Sequence, residues 1–502
     1  MSNGGDTGPL VSEPAVGSRA RSEESTTRPV SRGHTLVTVA LAMLSAGYYF
    51  HILIILDVVV EMIHNSEYSR AILMRMWNAI LIGEIIGQVL FGILCDNVGP
   101  NITLCTSTMV LSVGSILGTA ARGVSGDVAG TMWLDAIARG IIGVGIGGIY
   151  PPASMIVIET QQSKTTKSGR VFILMTNAMF SAGAPLATIL FLIVLSAVRP
   201  GHLDTVWPVC VGIGLILPTA TVCYFGLSVN WTRYWSVYST ELKRHWITIV
   251  HTCCLSFIYN FVAYPKIIFS SAILFAVVDG DLWRTTGFQL LLGVFALSGS
   301  LVGAMLYTYL GRRRTMVMSF ISYVIIALIM GCAYGRLVKI VPLFVILYAF
   351  MLFMGNMGPG NLLGLITAES YPGRIRGSFY GFTASIATVG AVAGIHAFSA
   401  IEENLRKQWV FIIAAICGAV GIFIAYFLPP DATFVSWSER ELQDDKTTRV
   451  SVPQASFEQH NGHPDQTLSA GGDAAYPKAQ SSVLSYIDDD KVCNVPRNFD
   501  IS

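Results

Sequence analysis

Two titratable residues lie inside long apolar stretches of the sequence, where an ionised group is costly. Glu84 is near the middle of residues 71–95, and His51 is near the middle of residues 35–60. An ionisable side chain deep in a membrane-spanning helix is typical of an ion or proton pathway, and histidine changes its charge near neutral pH. Each residue is therefore a candidate proton carrier. The alternatives are a protonated or hydrogen-bonded packing role for Glu84 and a structural hydrogen bond for His51.

A set of uncharged polar residues occupies the same kind of stretch. Amide and phenol groups suit hydrogen bonding to a neutral polar or weakly charged solute, although each could instead join two helices. These candidates for a substrate site are Tyr150, Asn177, Asn260, Tyr264, Asn356 and Asn361. Lys266 could add the positive charge that an anion needs, but it lies past the centre of its apolar stretch. We therefore expect its side chain to extend to the membrane interface, and we expect an interfacial position for Asp57 as well.

The stretch from Arg139 to Glu159 is apolar but rich in residues that disturb a helix. It contains five glycines, followed by Pro151 and Pro152. Glycines let helix backbones approach closely in lipid, and proline frees carbonyl groups that neighbours or a water-filled cavity must satisfy. The pattern indicates a helix that lines a transport pathway and does not face lipid.

Positioning these residues requires many membrane helices. The chain has 502 residues, of which 53% are hydrophobic and 13% are charged, whereas a soluble protein has about 25% charged residues. We predict an all-α membrane protein with about twelve transmembrane helices in two pseudo-symmetric bundles of six. The predicted spans are roughly 35–60, 71–95, 100–120, 132–158, 169–196, 205–229, 247–277, 287–310, 315–334, 341–368, 376–400 and 408–428.

The remaining segments are polar and define the predicted domains. We expect disordered cytosolic tails at 1–34 and 429–502, bundles at 35–229 and 247–428, and a cytosolic linker at 230–246. The loops on the side of the tails contain more lysine and arginine than the opposite loops, which places both tails in the cytosol. The plasma membrane is the expected location, with an organellar membrane as the alternative.

Composition also excludes several classes of function. The nine cysteines show neither the spacing of a metal site nor a secreted disulfide framework, and the net charge of +1 does not favour nucleic acid. No nucleophile–base pair is apparent, so we expect no enzyme activity, no cofactor and no metal. The expected partners are a small-molecule solute, a co-transported proton and the lipid bilayer, and we expect a monomer.

Residues at the helix ends repeat between the two halves. Gly92 and Asp96 precede Gly99 at the end of the second span, and Thr308 precedes Gly311 with the same spacing at the end of the eighth. Such repeats build two bundles that rock around a central site. An acid there could pair with an arginine and cap a helix N-terminus, or could be a solvated loop charge. The candidate gate residues are Gly92, Asp96, Gly99, Arg139, Glu159, Glu369, Arg374 and Arg376.

These motifs resemble those of a known superfamily. GQVLFGILCDNVG, RGIIGVGIGG with Glu159, GRRR and ESYPGRIRG are similar, in order, to the signatures of the major facilitator superfamily. GIGGIYPPAS and the stretch GPGNLLGLITAESYPGRIRGSFYGFTASIATVGA look most like the phosphate:proton symporters, and sugar porters share part of the pattern. The resemblance implies alternating access around a midplane site that is contacted from spans one, four, seven and ten.

The chain departs from the phosphate symporters at several charged positions. Ile149 stands where that family has an aspartate before the span-four tyrosine, and His51 and Ile54 stand at the places of two first-span acids. Asn260 replaces a seventh-span acid, and Thr388 replaces a lysine. We expect a secondary transporter of a small polar solute or anion, with inorganic phosphate and a coupled proton as one candidate. A sugar-porter-like facilitator and a non-transporting sensor of the same fold are the alternatives.

Overall fold

The structure is a computed structural model that describes residues 32–64, 69–121, 128–161, 166–198, 202–225, 238–371, 373, 375–404 and 407–427. These residues belong to one compact unit within Met1–Lys446. The predicted tail 429–502, nearly all of the predicted tail 1–34 and the candidate gate residue Arg374 lie outside the described residues.

The described residues are helical and contain no β-strand, which confirms the all-α prediction. The α-helices are α1 (Arg32–Ile63), α2 (Arg70–Val98), α3 (Pro100–Thr119), α4 (Val128–Thr160), α5 (Thr166–Ile173), α6 (Met179–Ala197), α7 (Leu203–Gly214), α8 (Ile216–Phe225), α9 (Tyr238–Ile268), α10 (Ser270–Val277), α11 (Leu282–Cys332), α12 (Tyr334–Leu337), α13 (Val341–Gly355), α14 (Asn361–Ser370), α15 (Arg376–Asn404) and α16 (Gln408–Tyr426). Two π-helical turns, Leu174–Ala178 and Asn356–Gly360, join α5 to α6 and α13 to α14. α9 begins inside the predicted linker 230–246.

The described part of the chain contains 11 helical stretches that are long and apolar enough to cross a membrane. One of them, α11, includes Gly311, whose φ of 77° and ψ of 176° are not helical. The predicted spans 287–310 and 315–334 lie on either side of this glycine. Counting α11 as two therefore gives twelve spans in the described residues.

The glycine of each repeated motif makes the same kind of turn. Gly99 separates α2 from α3 with φ 106°, and Gly311 interrupts α11 with φ 77°. A residue with a Cβ atom is strained at such φ values, whereas glycine is not. The spacing that recurs in the sequence thus corresponds to a tight connection that recurs in the two halves.

The glycines of α4 set its distance from α2. α4 stays helical through Pro151 and Pro152. A Cβ atom on Gly143 would clash with the backbone carbonyl of Ile80, and one on Gly147 would clash with that of Glu84. The two helix backbones are therefore in direct contact. This contact brings the turn that follows Gly147 on α4 next to the middle of α2.

Candidate functional site

Aromatic side chains from four spans pack against one another near the middle of the helices. Phe50 of α1 packs against Tyr264 of α9 and Phe180 of α6, with ring centroids 5.5 and 5.9 Å apart. Tyr150 of α4 lies 5.8 Å from Phe180, and His51 lies 5.7 Å from it. All except Phe50 are only partly buried. With Glu84, these residues form what we call the central cluster.

Glu84 supplies the carboxylate of the central cluster. Its side chain is completely buried, with a relative exposure of 0%. The hydroxyl of Tyr264 donates to Oε2 over 3.5 Å, and Tyr150 lies within electrostatic range of the carboxyl group. Oε1 has no hydrogen-bond partner among the described residues. A buried carboxyl group with one weak hydrogen bond and a free oxygen is poised to gain or lose a proton or to bind a solute.

His51 presents one ring nitrogen to the central cluster. Its Nδ1 lies 2.7 Å from the carbonyl oxygen of Gly47 in the same helix. Because a carbonyl only accepts, Nδ1 must carry the hydrogen. Nε2 has no partner among the described residues, so it accepts a hydrogen bond when the ring is neutral and donates one when it is charged. The ring therefore has both the structural hydrogen bond and the free titratable nitrogen that the sequence suggested as alternatives.

Two of the predicted asparagines connect the halves of the molecule. The amide of Asn177, in the first π-helical turn, donates to the carbonyl of Asn361 on α14 at 3.0 Å. Asn361 is 0% exposed and donates to the carbonyl of Ser300 on α11 at 2.9 Å. Its Oδ1 has no partner within the described part of the chain. π-Helical turns recur at functional sites because they present side chains differently from an α-helix.

The other two asparagines make local contacts. Asn260 donates to the carbonyl of Ser256 at 2.9 Å, and Asn356 donates to that of Leu352 at 3.0 Å, each within its own helix. Both side chains are partly exposed. Neither side chain makes a hydrogen bond across the halves to a described residue, so their predicted role in binding stays a prediction.

Arg139 lies in a buried ion network on the N-terminal side of α4. Its side chain is 1% exposed and pairs with Asp57 of α1 at 2.7 Å and with Asp135 at 2.9 Å. The indole of Trp77 donates to Asp57 at 2.8 Å. The expected interfacial position of Asp57 is therefore wrong, because the arginine and the indole hold its carboxylate inside the protein.

Lys266 also differs from expectation. Its side chain is buried, with 4% exposure, and Nζ lies 4.1 Å from the centroid of the Tyr323 ring. The side chain thus points into the C-terminal half and not toward the membrane interface. The attraction between a cation and an aromatic ring gives a physical reason for this direction.

The described gate candidates other than Arg139 gather at one end of the helices, which we call the Asp96 end. Asp96 of α2 accepts hydrogen bonds from the backbone N–H groups of Gly377 and Ser378 at the start of α15. Arg376 interacts electrostatically with Asp96 and with Glu159. The structure therefore brings these predicted residues together across the two halves. The alternative of a solvated loop charge does not hold for Asp96, which is 3% exposed.

The gate candidate Glu369 pairs within the C-terminal half with a residue that was not among the predicted gate residues. Arg312, in the basic cluster after Gly311, forms an ion pair with Glu369 at 2.6 Å. This contact joins α11 to the end of α14, as the electrostatic contact between Glu159 and Arg376 joins α4 to α15. A glutamate thus lies beside an arginine at the end of the fourth span, and another does so at the end of the tenth span.

The opposite end, which we call the Arg70 end, has its own contact between the halves. Arg70 of α2 pairs with Glu402 of α15 at 2.8 Å and donates to Ser399 at 2.9 Å. The sequence analysis did not predict this contact, although the opposite charges of Arg70 and Glu402 at the ends of two spans could have indicated it. The central cluster therefore lies between two ends at which the halves touch.

Comparisons with known proteins agree with this architecture. The chain is 37% identical over 417 residues to Glycerophosphoinositol transporter 1 of Saccharomyces cerevisiae, covering 79% of this chain and 78% of the relative. It is 36% identical over 407 residues to Glycerophosphoinositol permease 1 of Candida albicans, with the same two coverages of 79% and 78%. Identity falls to 22% over 459 residues with Putative inorganic phosphate transporter 1-13 of Oryza sativa subsp. japonica, covering 78% of this chain and 88% of that relative.

Solved structures support the same fold. The proton:xylose symporter XylE from E. coli, bound to 6-bromo-6-deoxy-D-glucose, aligns with a TM-score of 0.68 at 16% identity, covering 79% of this chain and 96% of the symporter. The family model described as "Sugar (and other) transporter" matches residues 44–245 and 226–441. The protein is an integral multi-pass membrane transporter that belongs to the sugar (and other) transporter family of the major facilitator superfamily.

Proposed function

We propose that this protein is a secondary transporter of a glycerophosphodiester, with glycerophosphoinositol as the first substrate to test. The observation that carries this proposal is the identity of 37% and 36%, over 79% of the chain, with two proteins named as glycerophosphoinositol carriers. The phosphate carrier is much less similar, at 22%.

The chemistry of the central cluster supports a solute with many hydroxyl groups and little charge. The phenols of Tyr150 and Tyr264 can bond to hydroxyl groups, and so can the free Oδ1 of Asn361, which lies outside the central cluster. The aromatic faces of Phe50 and Phe180 suit the apolar faces of a ring polyol. A phosphodiester carries a single negative charge, which protonated His51 could meet through Nε2.

The coupling ion in this proposal is a proton. Glu84 is the carboxyl group of the central cluster, and it accepts a hydrogen bond from Tyr264, whose ring packs against Phe50. The ring of Phe50 in turn packs against that of His51. The ion network of Arg139 could also take part in proton coupling through Asp57. The carboxylate of Asp57 binds both the guanidinium of Arg139 and the indole of Trp77. Proton symport is thus retained from the sequence-based expectation, whereas the proposed substrate changes from inorganic phosphate to a phosphodiester.

Uptake into proteoliposomes tests the proposal. Purified full-length protein should accumulate radiolabelled glycerophosphoinositol in a saturable manner, and an inward proton gradient should increase the initial rate. Unlabelled glycerophosphocholine should compete if the phosphodiester is recognised, and glucose should not. Saturable uptake of phosphate with no uptake of glycerophosphoinositol would contradict the proposed substrate. Binding without flux would favour the sensor alternative, and flux that ignores the gradient would favour the facilitator.

Inorganic phosphate is the second candidate substrate. The residues that favour it are the stretch around Tyr150 and the glycine-rich stretch of α14 and α15, which resemble the phosphate symporters. Ile149, at the place of the family's aspartate, is completely buried. The central cluster thus lacks that carboxyl group, which makes phosphate the weaker of the two candidates.

The remaining expectations also stay proposals. We propose that the two tails are cytosolic, that the protein is a monomer and that it resides in the plasma membrane. The Asp96 end is then the cytosolic end, and the basic cluster at Arg312 lies there as well. Glycosylation of Asn230, which this topology places in the cytosol, would contradict the orientation.

A further inference from the structure

A polar pair lies on the outer surface of the helices where the two halves meet. Nε2 of His396 on α15 lies 3.1 Å from Oδ1 of Asn78 on α2. The ring of His396 is exposed, and Asn78 is partly buried. Val389 and Phe382 precede His396 at heptad spacing and are 42% and 48% exposed. Heptad spacing keeps side chains on one face of a helix, so His396 belongs to the lipid-facing face of α15.

The surface of α2 that continues from this pair is apolar. Ile82 and Ile86 lie one and two turns from Asn78 toward the middle of the helix, and each is 51% exposed. We call the surface formed by these residues of both halves the lipid-facing seam: Asn78, Ile82, Ile86, Phe382, Val389 and His396. Lipid tails offer no hydrogen bonds, so a polar pair at the top of an apolar surface suits a polar group of a lipid.

Exposed tryptophans mark the level of the membrane interface. They lie near the ends of α4, α11 and α16 at the Arg70 end and are 56%, 52% and 41% exposed: Trp133, Trp283 and Trp409. Tryptophan is enriched at membrane–water interfaces. The guanidinium carbon of Arg75 lies 4.2 Å from the ring centroid of Trp133. The interface therefore crosses α2 near Arg75, and Asn78 is about 4.5 Å closer to the middle of the membrane.

The donors at these two levels match the polar groups of a phospholipid. Arg75 forms no ion pair with a described residue and has only the contact with Trp133. When Nε2 of His396 carries the hydrogen, the ring donates to Oδ1 of Asn78 and leaves both hydrogens of Nδ2 free. The phosphate of a phospholipid lies at the interface, and the ester carbonyls lie just below it. A guanidinium binds the first group, and an amide N–H donates to the second.

We propose that the lipid-facing seam binds a diacyl glycerophospholipid. Its phosphate pairs with Arg75, one ester carbonyl accepts from Nδ2 of Asn78, and an acyl chain lies on Ile82 and Ile86. His396 is a positioning residue, because its ring fixes the amide of Asn78. Glu84 of the same helix is 0% exposed, so the central cluster and the seam lie on different faces of α2.

The chemistry of the lipid tests the proposal without any substitution. Native mass spectrometry of the purified, delipidated full-length protein measures the affinity for each added lipid. Dioleoyl phosphatidylcholine should bind at least about fivefold more tightly than dioleoylglycerol, which lacks the phosphate. It should bind about threefold more tightly than its diether analogue, which lacks the ester carbonyls. Equal affinities for the three lipids would overturn the proposal.

Arg75→Gln tests the phosphate contact. This variant should lose the preference for phosphatidylcholine over dioleoylglycerol and keep the preference for the ester over the ether. The matched control is Arg284→Gln, which removes an arginine at the same end with a 75% exposed side chain and should keep both preferences. An equal loss in both variants would indicate unspecific contact with surrounding lipid and would overturn the assigned site.

Asn78→Leu tests the carbonyl contact with no change in charge. It should lose the preference for the ester over the ether and keep the preference for the phosphate. Asn97→Leu is the control, since Asn97 bonds to Ile93 in its own helix and should keep both preferences. An unchanged ester preference in Asn78→Leu would exclude its amide as the donor.

The positioning role of His396 has its own pair of variants. His396→Phe should lose the ester preference, whereas His396→Gln should restore it, because the glutamine amide can still donate to Oδ1 of Asn78. Equal behaviour of the two variants would contradict this role. Thermal unfolding shows which variants fold, and the lipid series on the unaltered protein decides the proposal where one does not. Failure of glycerophosphoinositol uptake would leave these binding results unaffected, so the transport proposal is tested separately.

Discussion

Asp96, the acid at the end of α2, caps the N-terminus of α15 through the backbone of Ser378. The Ser378 N–H donates to Oδ2 at 2.7 Å, and the Gly377 N–H donates to Oδ1 at 2.8 Å. A carboxylate satisfies two N–H groups that an α-helix leaves free at its start, and it complements the positive end of the helix dipole. Because the helices belong to different halves, the contact joins the two halves at the Asp96 end.

We expect Asp96→Asn to open this end. The substitution removes the charge and presents a donor to one of the two N–H groups, and charge-assisted hydrogen bonds contribute about 1.5–3 kcal/mol each. In a variant whose only cysteine is the buried Cys95, maleimide labelling should accelerate at least about tenfold. The control is Asn97→Ala, since Asn97 bonds to its own helix at Ile93. Unchanged labelling of Asp96→Asn would show that the cap does not hold the end closed.

Gly377→Ala should disturb the same contact by size alone. A Cβ atom there would lie 2.7 Å from Oδ1 of Asp96 and 2.9 Å from Cβ of Cys95. The carboxylate or α15 must then move, so we expect a lower rate of solute uptake with no change in charge. The matched control is Gly373→Ala in the preceding loop, where nothing lies within 4 Å of the added atom. Equal rates in the two variants would contradict the prediction.

Glu84→Gln should uncouple transport from the proton gradient. The amide keeps the size of the carboxyl group and can still accept from Tyr264, but it cannot exchange a proton. We expect net uptake to lose its response to the gradient, while exchange of solute across a membrane without a gradient continues. Initial rates at two imposed gradients measure this effect. Glu61→Gln, at an exposed site on α1, should respond like the unaltered protein. A full response in Glu84→Gln would exclude this residue as the proton carrier.

The stability of the protein should fall by different amounts when different members of the Arg139 network are replaced. Arg139→Met leaves Asp57 and Asp135 buried without their cation, and breaking a buried pair in this way costs about 3–5 kcal/mol. Asp57→Asn or Asp135→Asn leaves one acid for one arginine, so each should cost less. Thermal unfolding in detergent measures the order. An Asp135→Asn variant that is less stable than Arg139→Met would contradict this account.

Asn361→Ala should affect transport more than Asn356→Ala does. Asn361 is buried, bonds to Ser300 and accepts through its carbonyl from Asn177 of the other half, whereas Asn356 bonds within its own helix. Loss of the Asn361 amide leaves the Ser300 carbonyl without this donor, at a cost of about 1–3 kcal/mol. We expect a rise in KM of about tenfold for Asn361→Ala and little change for Asn356→Ala. Steady-state uptake measures both, and equal KM values would contradict the proposed binding role of Asn361.

The sequence by itself determined the class of this protein. The apolar stretches set the number of helices, because each must cross a bilayer of fixed thickness with its backbone bonded internally. The recurrence of Asp96 with Gly99 and of Thr308 with Gly311 indicated two related halves, and both glycines have the positive φ that explains the repeat. Periodic composition and backbone stereochemistry are local properties, so they can be inferred without a three-dimensional structure.

The tertiary structure alone decided which polar residues meet. Asp57 and Arg139 are far apart in the sequence but pair inside the protein, and Lys266 turns toward Tyr323 and away from the interface. Among the described residues, Asn361 is the one predicted asparagine that receives a hydrogen bond from the opposite half. Which face of a helix meets which neighbour depends on the rotation and depth of every helix in the bundle. A buried charge takes the partner that this packing provides, and no local pattern specifies that partner.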